Sequence, residues 1–278
     1  MSVPVSLPDE VKFAVLQWRG RPLHLEYQWV GHAASTHPVL VFLHEGLGSL
    51  EMWKDFPQRL CVQAGCRGLV YSRPGYGRST PRAAGEAWGP DFMHLQAHEL
   101  LPRLLERLGV DAAAHPPWLF GHSDGASIAL LHAARFPGRV AGAIVLAPHI
   151  RVEDVSVRSI ALARQAYLTS DLKPRLARFH VDADSAFWGW NDAWLSPAFR
   201  AWSIEAELAA ITCPLLAIQG VDDEYGTLEQ IRGIARRQPR TELIELADCG
   251  HSPQRDQAEA VSIASSLFIQ RQSRGHTR

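Results

Sequence analysis

Cysteine is scarce in this chain of 278 residues, and its four copies follow no metal-binding or disulfide pattern. Cys61, Cys66, Cys213 and Cys249 contain no C-x-x-C pair, and each lies in or beside an apolar segment. Zinc sites and the frameworks of small disulfide-rich domains need close, repeated cysteine spacings. The sequence therefore predicts no metal site, and we interpret the four residues as small core side chains in a reducing compartment.

An excess of one charge and a long apolar run are also missing. The formal net charge is -1, whereas nucleic-acid and anionic-membrane surfaces call for a basic stripe. The first thirteen residues include acidic side chains and no apolar core of a signal peptide, and no apolar run reaches the 18 residues of a membrane span. These absences predict a cytoplasmic protein with neither a nucleic-acid nor a membrane partner. We expect a monomer or homodimer that acts on a small-molecule substrate.

The residues that are present alternate between short β-rich runs and amphipathic helical stretches. This alternation predicts the α/β class, because right-handed crossovers between such runs give a largely parallel sheet. The two earliest runs flank the turn Arg19-Gly20-Arg21-Pro22 and predict an edge hairpin. Eight strands are expected, at 13–18, 23–30, 38–44, 68–72, 118–122, 140–147, 214–220 and 242–246.

The alternation stops for about sixty residues between the sixth and seventh predicted strands. Helical segments expected at 155–168, 173–180 and 197–211 are too short and too amphipathic to bury themselves alone. Ligands of open α/β sheets bind beyond the carboxyl ends of the strands, so this insertion is expected to cover that edge. We predict a core domain of residues 1–147 and 213–278 and a helical cap of residues 148–212, here called the cap segment.

A G-x-S-x-G pentapeptide at residues 121–125 identifies a candidate nucleophile, Ser123. It follows an apolar run and precedes the helix-like stretch ASIALLHAARF. In a nucleophile elbow the serine occupies a strained strand-to-helix turn, and the glycines are needed because side chains there would collide with neighbouring backbone. The flanking pattern therefore favours a catalytic serine.

A serine hydroxyl needs a histidine base, and the base needs a carboxylate that fixes its tautomer. Two acidic residues, Asp222 and Asp223, follow the seventh predicted strand, and His251 lies in a tight loop after the eighth. The spacing alone leaves both aspartates open. Asp154, after the sixth strand, is more simply explained as a solvated residue of the cap surface.

The chain resembles the α/β-hydrolase superfamily over residues 11–270. The motifs that carry this resemblance are HEGLG at 44–48, YSRPGYGRS at 71–79, GHSDG at 121–125, the Asp222-Asp223 pair and Gly250-His251, and the triad order Ser, Asp, His also matches. The resemblance implies an eight-stranded, mostly parallel sheet with helices on both faces and a helical cap, and no cofactor. The family pattern G-x-x-D implies Asp223 as the acid, with Asp222 as the alternative.

The resemblance also implies an oxyanion hole made of two backbone N-H groups, those of Asp124 and Gly46. The family usually has His-Gly in the loop after the third strand, and here Glu45 replaces that glycine. A carboxylate facing an oxyanion would oppose catalysis. We therefore expect the Glu45 side chain to turn away, toward Arg73, with the positioning of a water as the alternative.

Four tryptophans crowd the second half of the cap segment within the stretch 188–202. Aromatic rings line many ligand pockets, although helical caps also need apolar faces for docking. The residues predicted to contact substrate are His44, Glu45, Trp188, Trp190 and Trp194. A basic bias in the first half of the cap segment, from Arg151 to Arg178, suits a carboxylate or a phosphate, or is a solvated helix face.

These features predict a serine hydrolase that cleaves a carboxylic ester or thioester with an apolar or aromatic acyl group through Ser123, His251 and Asp223. Two alternatives remain. A carbon-carbon bond hydrolase of a ring-cleavage product uses the same triad and favours arginines that hold substrate carboxylates. A small-molecule receptor that retains the triad acts instead by cap movement.

Overall fold

The computed structural model describes residues 8–32 and 37–275, so residues 1–7, 33–36 and 276–278 of the predicted core domain lie outside the described residues. Within these ranges the chain forms one eight-stranded sheet. The strands are β1 (Lys12–Trp18), β2 (Arg21–Gly31), β3 (Val39–Leu43), β4 (Arg67–Tyr71), β5 (Trp118–His122), β6 (Gly142–Leu146), β7 (Leu215–Gly220) and β8 (Glu242–Leu246).

The sheet order is β1-β2-β4-β3-β5-β6-β7-β8. The β1–β2 hairpin joins the sheet antiparallel to β4, and every other pairing is parallel. This arrangement confirms the predicted fold class. Because β3, β5, β7 and β8 run in one direction, the loops that carry the motif residues all leave the same edge of the sheet.

Helices cover both faces of the sheet. Side chains alternate along each strand, so that Val41 and Leu43 pack in one hydrophobic cluster while Leu40 and Phe42 pack in the other. The helices are α1 (Phe56–Ala64), α2 (Phe92–Leu95), a π-helical turn (Gln96–Leu100), α3 (Leu101–Arg107), α4 (Asp124–Arg135), α5 (Asp154–Thr169), α6 (Leu172–Leu176), α7 (Ala183–Leu195), α8 (Glu229–Arg237), α9 (Pro253–Asp256) and α10 (Ala258–Gly275). Helices α1 and α10 pack on the Leu40 face, and α3, α4 and α8 pack on the Val41 face.

The cap segment contains α5, α6 and α7, of which α5 matches the helix predicted at 155–168 while the others differ from the predictions. Helix α7 begins where the Asp182 carboxylate accepts a hydrogen bond from the Ser185 N-H, and it buries the aromatic side chains that the sequence places there. The helix expected at 173–180 spans only Leu172–Leu176.

The prediction of a helix at 197–211 is wrong. Only two short 3-10 turns form, Pro197–Phe199 and Glu207–Ala210. The backbone between them runs antiparallel to residues 150–152, with Ile204 N-H donating to Ile150 O and Val152 N-H donating to Trp202 O. These hydrogen bonds use groups that a helix would need for itself.

None of the described helices is both long and apolar enough to cross a bilayer.

Candidate active site

Ser123 occupies the sharp turn between β5 and α4. Its φ of 53° and ψ of -120° lie in a region that side chains other than glycine rarely adopt. A Cβ on Gly121 would overlap the backbone of Gly125 and Ala126, and a Cβ on Gly125 would overlap the carbonyl oxygen of Leu43. Both glycines are therefore required by close backbone approach, which fixes the serine at the carboxyl edge of the sheet.

Ser123, His251 and Asp223 meet at this edge with hydrogen-bond geometry. His251 Nε2 lies 2.9 Å from Ser123 Oγ, and His251 Nδ1 lies 2.8 Å from Asp223 Oδ1. Because an ionised carboxylate only accepts hydrogen bonds, Nδ1 carries the proton and leaves the Nε2 lone pair for the serine hydroxyl. This tautomer is the one that a general base requires.

The Asp223 carboxylate is held by the loop that follows β7. Oδ1 also accepts hydrogen bonds from Tyr225 N-H at 2.8 Å and Gly226 N-H at 3.2 Å, and Oδ2 accepts one from Gln219 Nε2 at 3.0 Å. Asp222 is exposed instead. The geometry therefore favours Asp223 over Asp222 as the acid.

The acid loop and the histidine loop are locked together by Gly220. A Cβ at this position would overlap the carbonyl oxygens of Cys249 and Gly250, and Asp222 N-H donates to Cys249 O at 3.0 Å. Glu224 Oε2 accepts a hydrogen bond from the His251 N-H at 3.2 Å. These backbone contacts, together with the Glu224 carboxylate, set the distance between acid and base.

Electrostatics match the roles of acid and base. Burial by itself would lower the pKa of His251, but the hydrogen bond and the charge of Asp223 outweigh it and raise the pKa above its ordinary value of 6.5. Burial likewise opposes ionisation of Asp223, yet the His251 contact holds its pKa below the ordinary range. Each group thus stabilises the charged form of the other.

Of the predicted oxyanion donors, Asp124 directly follows Ser123 in the chain, and Gly46 lies in the loop after β3, whose Leu43 and His44 carbonyl groups lie against Gly125. Asp124 is the first residue of α4, so its N-H has no acceptor within the helix. Gly46 is buried in the loop after β3, and within the described part of the chain its N-H has no hydrogen-bond partner. Two N-H groups therefore remain for an oxygen atom above Ser123.

Arg73, from the YSRPGYGRS motif, is completely buried and braces both donor loops. Its guanidinium lies 3.7 Å from Asp124 Oδ2, donates to the Glu45 carbonyl oxygen at 2.8 Å and donates to Gln96 Oε1 at 3.1 Å. Sequence reasoning considered Arg73 only as a partner for the Glu45 side chain. The YSRPGYGRS motif could have predicted this role, because an arginine beside glycines at the end of a buried strand needs a buried anionic partner.

The Glu45 carboxylate turns to His122 and not to Arg73, which corrects the expected partner. Glu45 Oε2 lies 3.3 Å from His122 Nδ1, while His122 Nε2 donates to the His251 carbonyl oxygen at 2.7 Å. Burial would raise the pKa of Glu45, but the His122 hydrogen bond and charge lower it to about 2. Glu45 is therefore an anion with its side chain 26% exposed.

His44 has both ring nitrogens satisfied inside the protein. Nδ1 donates to Glu45 O at 2.7 Å, and Nε2 accepts from Arg73 N-H at 2.9 Å. Burial, reinforced by the nearby Arg73 charge, holds its pKa well below the ordinary value. This neutral, fully bonded ring braces the oxyanion loop, and it leaves no nitrogen for the substrate contact expected from the sequence.

The three predicted substrate tryptophans take two different directions from α7. Trp188 packs with Tyr167 and Phe187 while Arg164 lies over its ring. Trp190 and Trp194 lie on the opposite side of the helix and reach the loops around Ser123. Because two residues along a helix are about 200° apart, Trp188 faces away from the loops that Trp190 and Trp194 reach, and this geometry does not favour the substrate contact predicted for it.

The remaining acidic candidate, Asp154, forms an exposed ion pair with Arg200. Among residues 8–32 and 37–275, no cluster of three histidine, cysteine or acidic side chains has metal-binding geometry.

Comparisons with known proteins agree with this architecture. A family model described as the alpha/beta hydrolase family matches residues 40–264. Protein PHYLLO, chloroplastic, of Arabidopsis thaliana is 31% identical over 140 residues, which is 50% of this chain. That match spans only 8% of the plant protein's length.

Two solved structures are also similar. The enol-lactonase from Burkholderia xenovorans LB400 has a TM-score of 0.67 and 23% identity, covering 88% of this chain and 97% of that one. A thermophilic esterase from Thermogutta terrifontis has a TM-score of 0.68 and 20% identity, covering 95% and 99%. At these identities the likeness shows the fold alone.

Proposed function

The chain belongs to the alpha/beta hydrolase family, and on this premise we propose that it is a serine hydrolase that cleaves a carboxylic ester or thioester with an apolar or aromatic acyl group. The observation that carries the proposal is the continuous hydrogen-bond chain from Ser123 Oγ through His251 to Asp223 Oδ1. The names of the similar structures, an esterase and an enol-lactonase, support ester cleavage.

The geometry supports an acyl-enzyme mechanism. His251 Nε2 takes the Ser123 hydroxyl proton as Oγ forms a bond to the substrate carbonyl carbon, and the carbonyl π electrons move onto oxygen. The N-H groups of Gly46 and Asp124 stabilise that oxyanion. Collapse breaks the bond to the alcohol or thiol, which leaves with the proton from His251, and water then repeats the sequence to release the acid.

The charges around the site favour a neutral acyl group. Glu45 and Asp223 are both ionised near Ser123 and would repel a substrate carboxylate. Most of the cap segment's basic residues face acidic partners on the protein itself. The pairs are Arg151–Glu205, Arg164–Asp192, Lys173–Asp184, Arg175–Asp171 and Arg200–Asp154.

This pairing weakens the case for the carbon-carbon bond hydrolase, because that alternative depends on cap arginines that bind substrate carboxylates. We therefore keep a neutral small molecule as the proposed substrate, for a monomer or homodimer with residues 148–212 acting as its cap.

A fluorophosphonate probe and a substrate panel test the proposal. We expect the probe to label Ser123 of the wild-type protein, with Ser123→Ala as the unlabelled control. A panel of p-nitrophenyl esters and acyl-CoA thioesters of increasing chain length then separates esterase from thioesterase. Absence of labelling, or saturable binding of an ester without turnover, would contradict the proposal and favour the receptor.

A further inference from the structure

Helix α7 brings two indole N-H groups to the two predicted oxyanion residues. Trp190 and Trp194 are four residues apart and so lie on one face of the helix, one turn from each other. Trp194 Nε1 donates to Asp124 Oδ1 at 3.1 Å. A Cβ placed on Gly46 would overlap Trp190 Nε1 and Cδ1, so that indole edge lies directly against the oxyanion loop.

The indole nitrogens of Trp53 and Trp202 are enclosed without a hydrogen-bond partner, and the Trp190 N-H differs from these two. Trp190 is 6% exposed, its N-H has no hydrogen-bond acceptor within the described ranges, and its nitrogen is not among the enclosed atoms. An unpaired donor beside Gly46 suits an acceptor supplied by the substrate.

The Trp194 N-H stabilises the buried carboxylate of Asp124. Asp124 carries a fully buried carboxylate on the same residue whose backbone N-H is a predicted oxyanion donor. Burial raises the pKa of this carboxyl group, and Arg73 and the Trp194 hydrogen bond oppose that shift. Without Trp194, Oδ1 would lose its partner in a low-dielectric region close to the developing negative charge.

We propose that α7 completes the oxyanion hole, with the Trp190 indole N-H as a third donor to the carbonyl oxygen of the tetrahedral intermediate. Trp194 is a positioning residue that acts through Asp124. This inference rests on the proposed ester or thioester hydrolysis and assigns its transition-state contacts to the cap segment. It makes the cap part of the chemistry, beyond its role in covering the substrate.

Phenylalanine variants of Trp188, Trp190 and Trp194, all on α7, test this proposal. Phenylalanine keeps an aromatic ring and removes only the indole N-H and part of the volume. Removal of one oxyanion donor typically costs about 10²–10³ in kcat. We expect Trp190→Phe to lower kcat by about a hundredfold with KM nearly unchanged, and to weaken a trifluoromethyl ketone inhibitor in parallel. Trp188→Phe is the matched control, since its ring packs among the cap helices, and its kcat should stay near the wild-type value.

Two further variants separate chemistry from packing. Trp190→His keeps a ring N-H and should recover part of the kcat that Trp190→Phe loses. Trp194→Phe should lower kcat through the unpaired Asp124 carboxylate, and adding Asp124→Asn to that variant should restore part of the loss. A purely structural role for Trp194 would give no such rescue.

The outcomes also distinguish this inference from the proposed function. If fluorophosphonate labels Ser123 and esters are hydrolysed, but Trp190→Phe and Trp190→His both match Trp188→Phe in kcat and inhibitor affinity, the third donor is refuted while the serine hydrolase stands. If the wild-type protein is not labelled and hydrolyses no ester or thioester, the proposed function itself fails. Thermal unfolding of each variant shows whether a loss of kcat reflects a loss of folded protein.

Discussion

Replacing Ser123 by glycine is expected to give a more stable protein than replacing it by alanine. Both substitutions remove the hydroxyl and its hydrogen bond to His251, so that loss cancels in the comparison. Only glycine relieves the backbone, because φ is 53° and ψ is -120° at this position. The pair therefore isolates the strain that the elbow stores.

The magnitude follows from two opposing effects. Strained backbone conformations of this kind cost about 1–3 kcal/mol. Glycine gives back about 0.4–1 kcal/mol, because it increases the conformational entropy of the unfolded chain. We therefore expect Ser123→Gly to exceed Ser123→Ala by about 1 kcal/mol in free energy of unfolding, or roughly 2–4 °C in Tm.

Urea denaturation of both variants measures this difference, provided that the m-values agree. Ala260→Gly, at an exposed position of α10, is the control for an unstrained site and should lose about 1 kcal/mol. If Ser123→Gly is less stable than Ser123→Ala by a similar amount, the elbow stores no strain and the reasoning is refuted.

Three other predictions concern the acid, the base and the neighbouring carboxylate. Asp223→Asn should lower kcat by roughly 10⁴ because His251 takes the wrong tautomer, whereas the exposed Asp222→Asn should stay within a few-fold; equal losses would contradict the assignment. The pKa of His251 is raised, and the base must be neutral, so kcat/KM should fall as the pH drops through a midpoint above 6.5; a midpoint below that value in a pH-rate profile would contradict the Asp223 pairing. Glu45→Gln should leave kcat within a few-fold, since the carboxylate is engaged by His122, whereas a loss of about 10² or more would make Glu45 the residue that positions the deacylating water.

The strands and the candidate triad could be predicted from sequence because their signals are local. Each central strand is a continuous apolar run, as expected for a sheet buried on both faces, and Gly121 and Gly125 mark a turn that few other residues tolerate. The assignment of Asp223 as the acid needed the family pattern as well as the local sequence, since Asp222 has the same chemistry one position away.

The contacts around the oxyanion loop could not be predicted in the same way. The Glu45 carboxylate contacts His122 and not Arg73, because Arg73 is engaged by Asp124 and by the Glu45 carbonyl oxygen. The spacing of residues in the sequence does not show which of these partners Arg73 binds. The directions of Trp188 and Trp190 depend on how α7 is rotated about its axis. That rotation is set by packing against distant segments.

Because the contact of Gly220 with the histidine loop aligns the triad, the return of enzyme turnover reports when this part of the protein has folded. Ser123 and His251 are 128 positions apart in the chain, and their alignment depends on the contact of Gly220 with the carbonyl groups of Cys249 and Gly250. Contacts of such high sequence separation form late and slowly. In a refolding experiment, esterase activity should therefore return after helical circular dichroism and after the more local pairing of β7 with β8, in step with the long-range pairing of β6 with β7 that brings the two loops to Ser123.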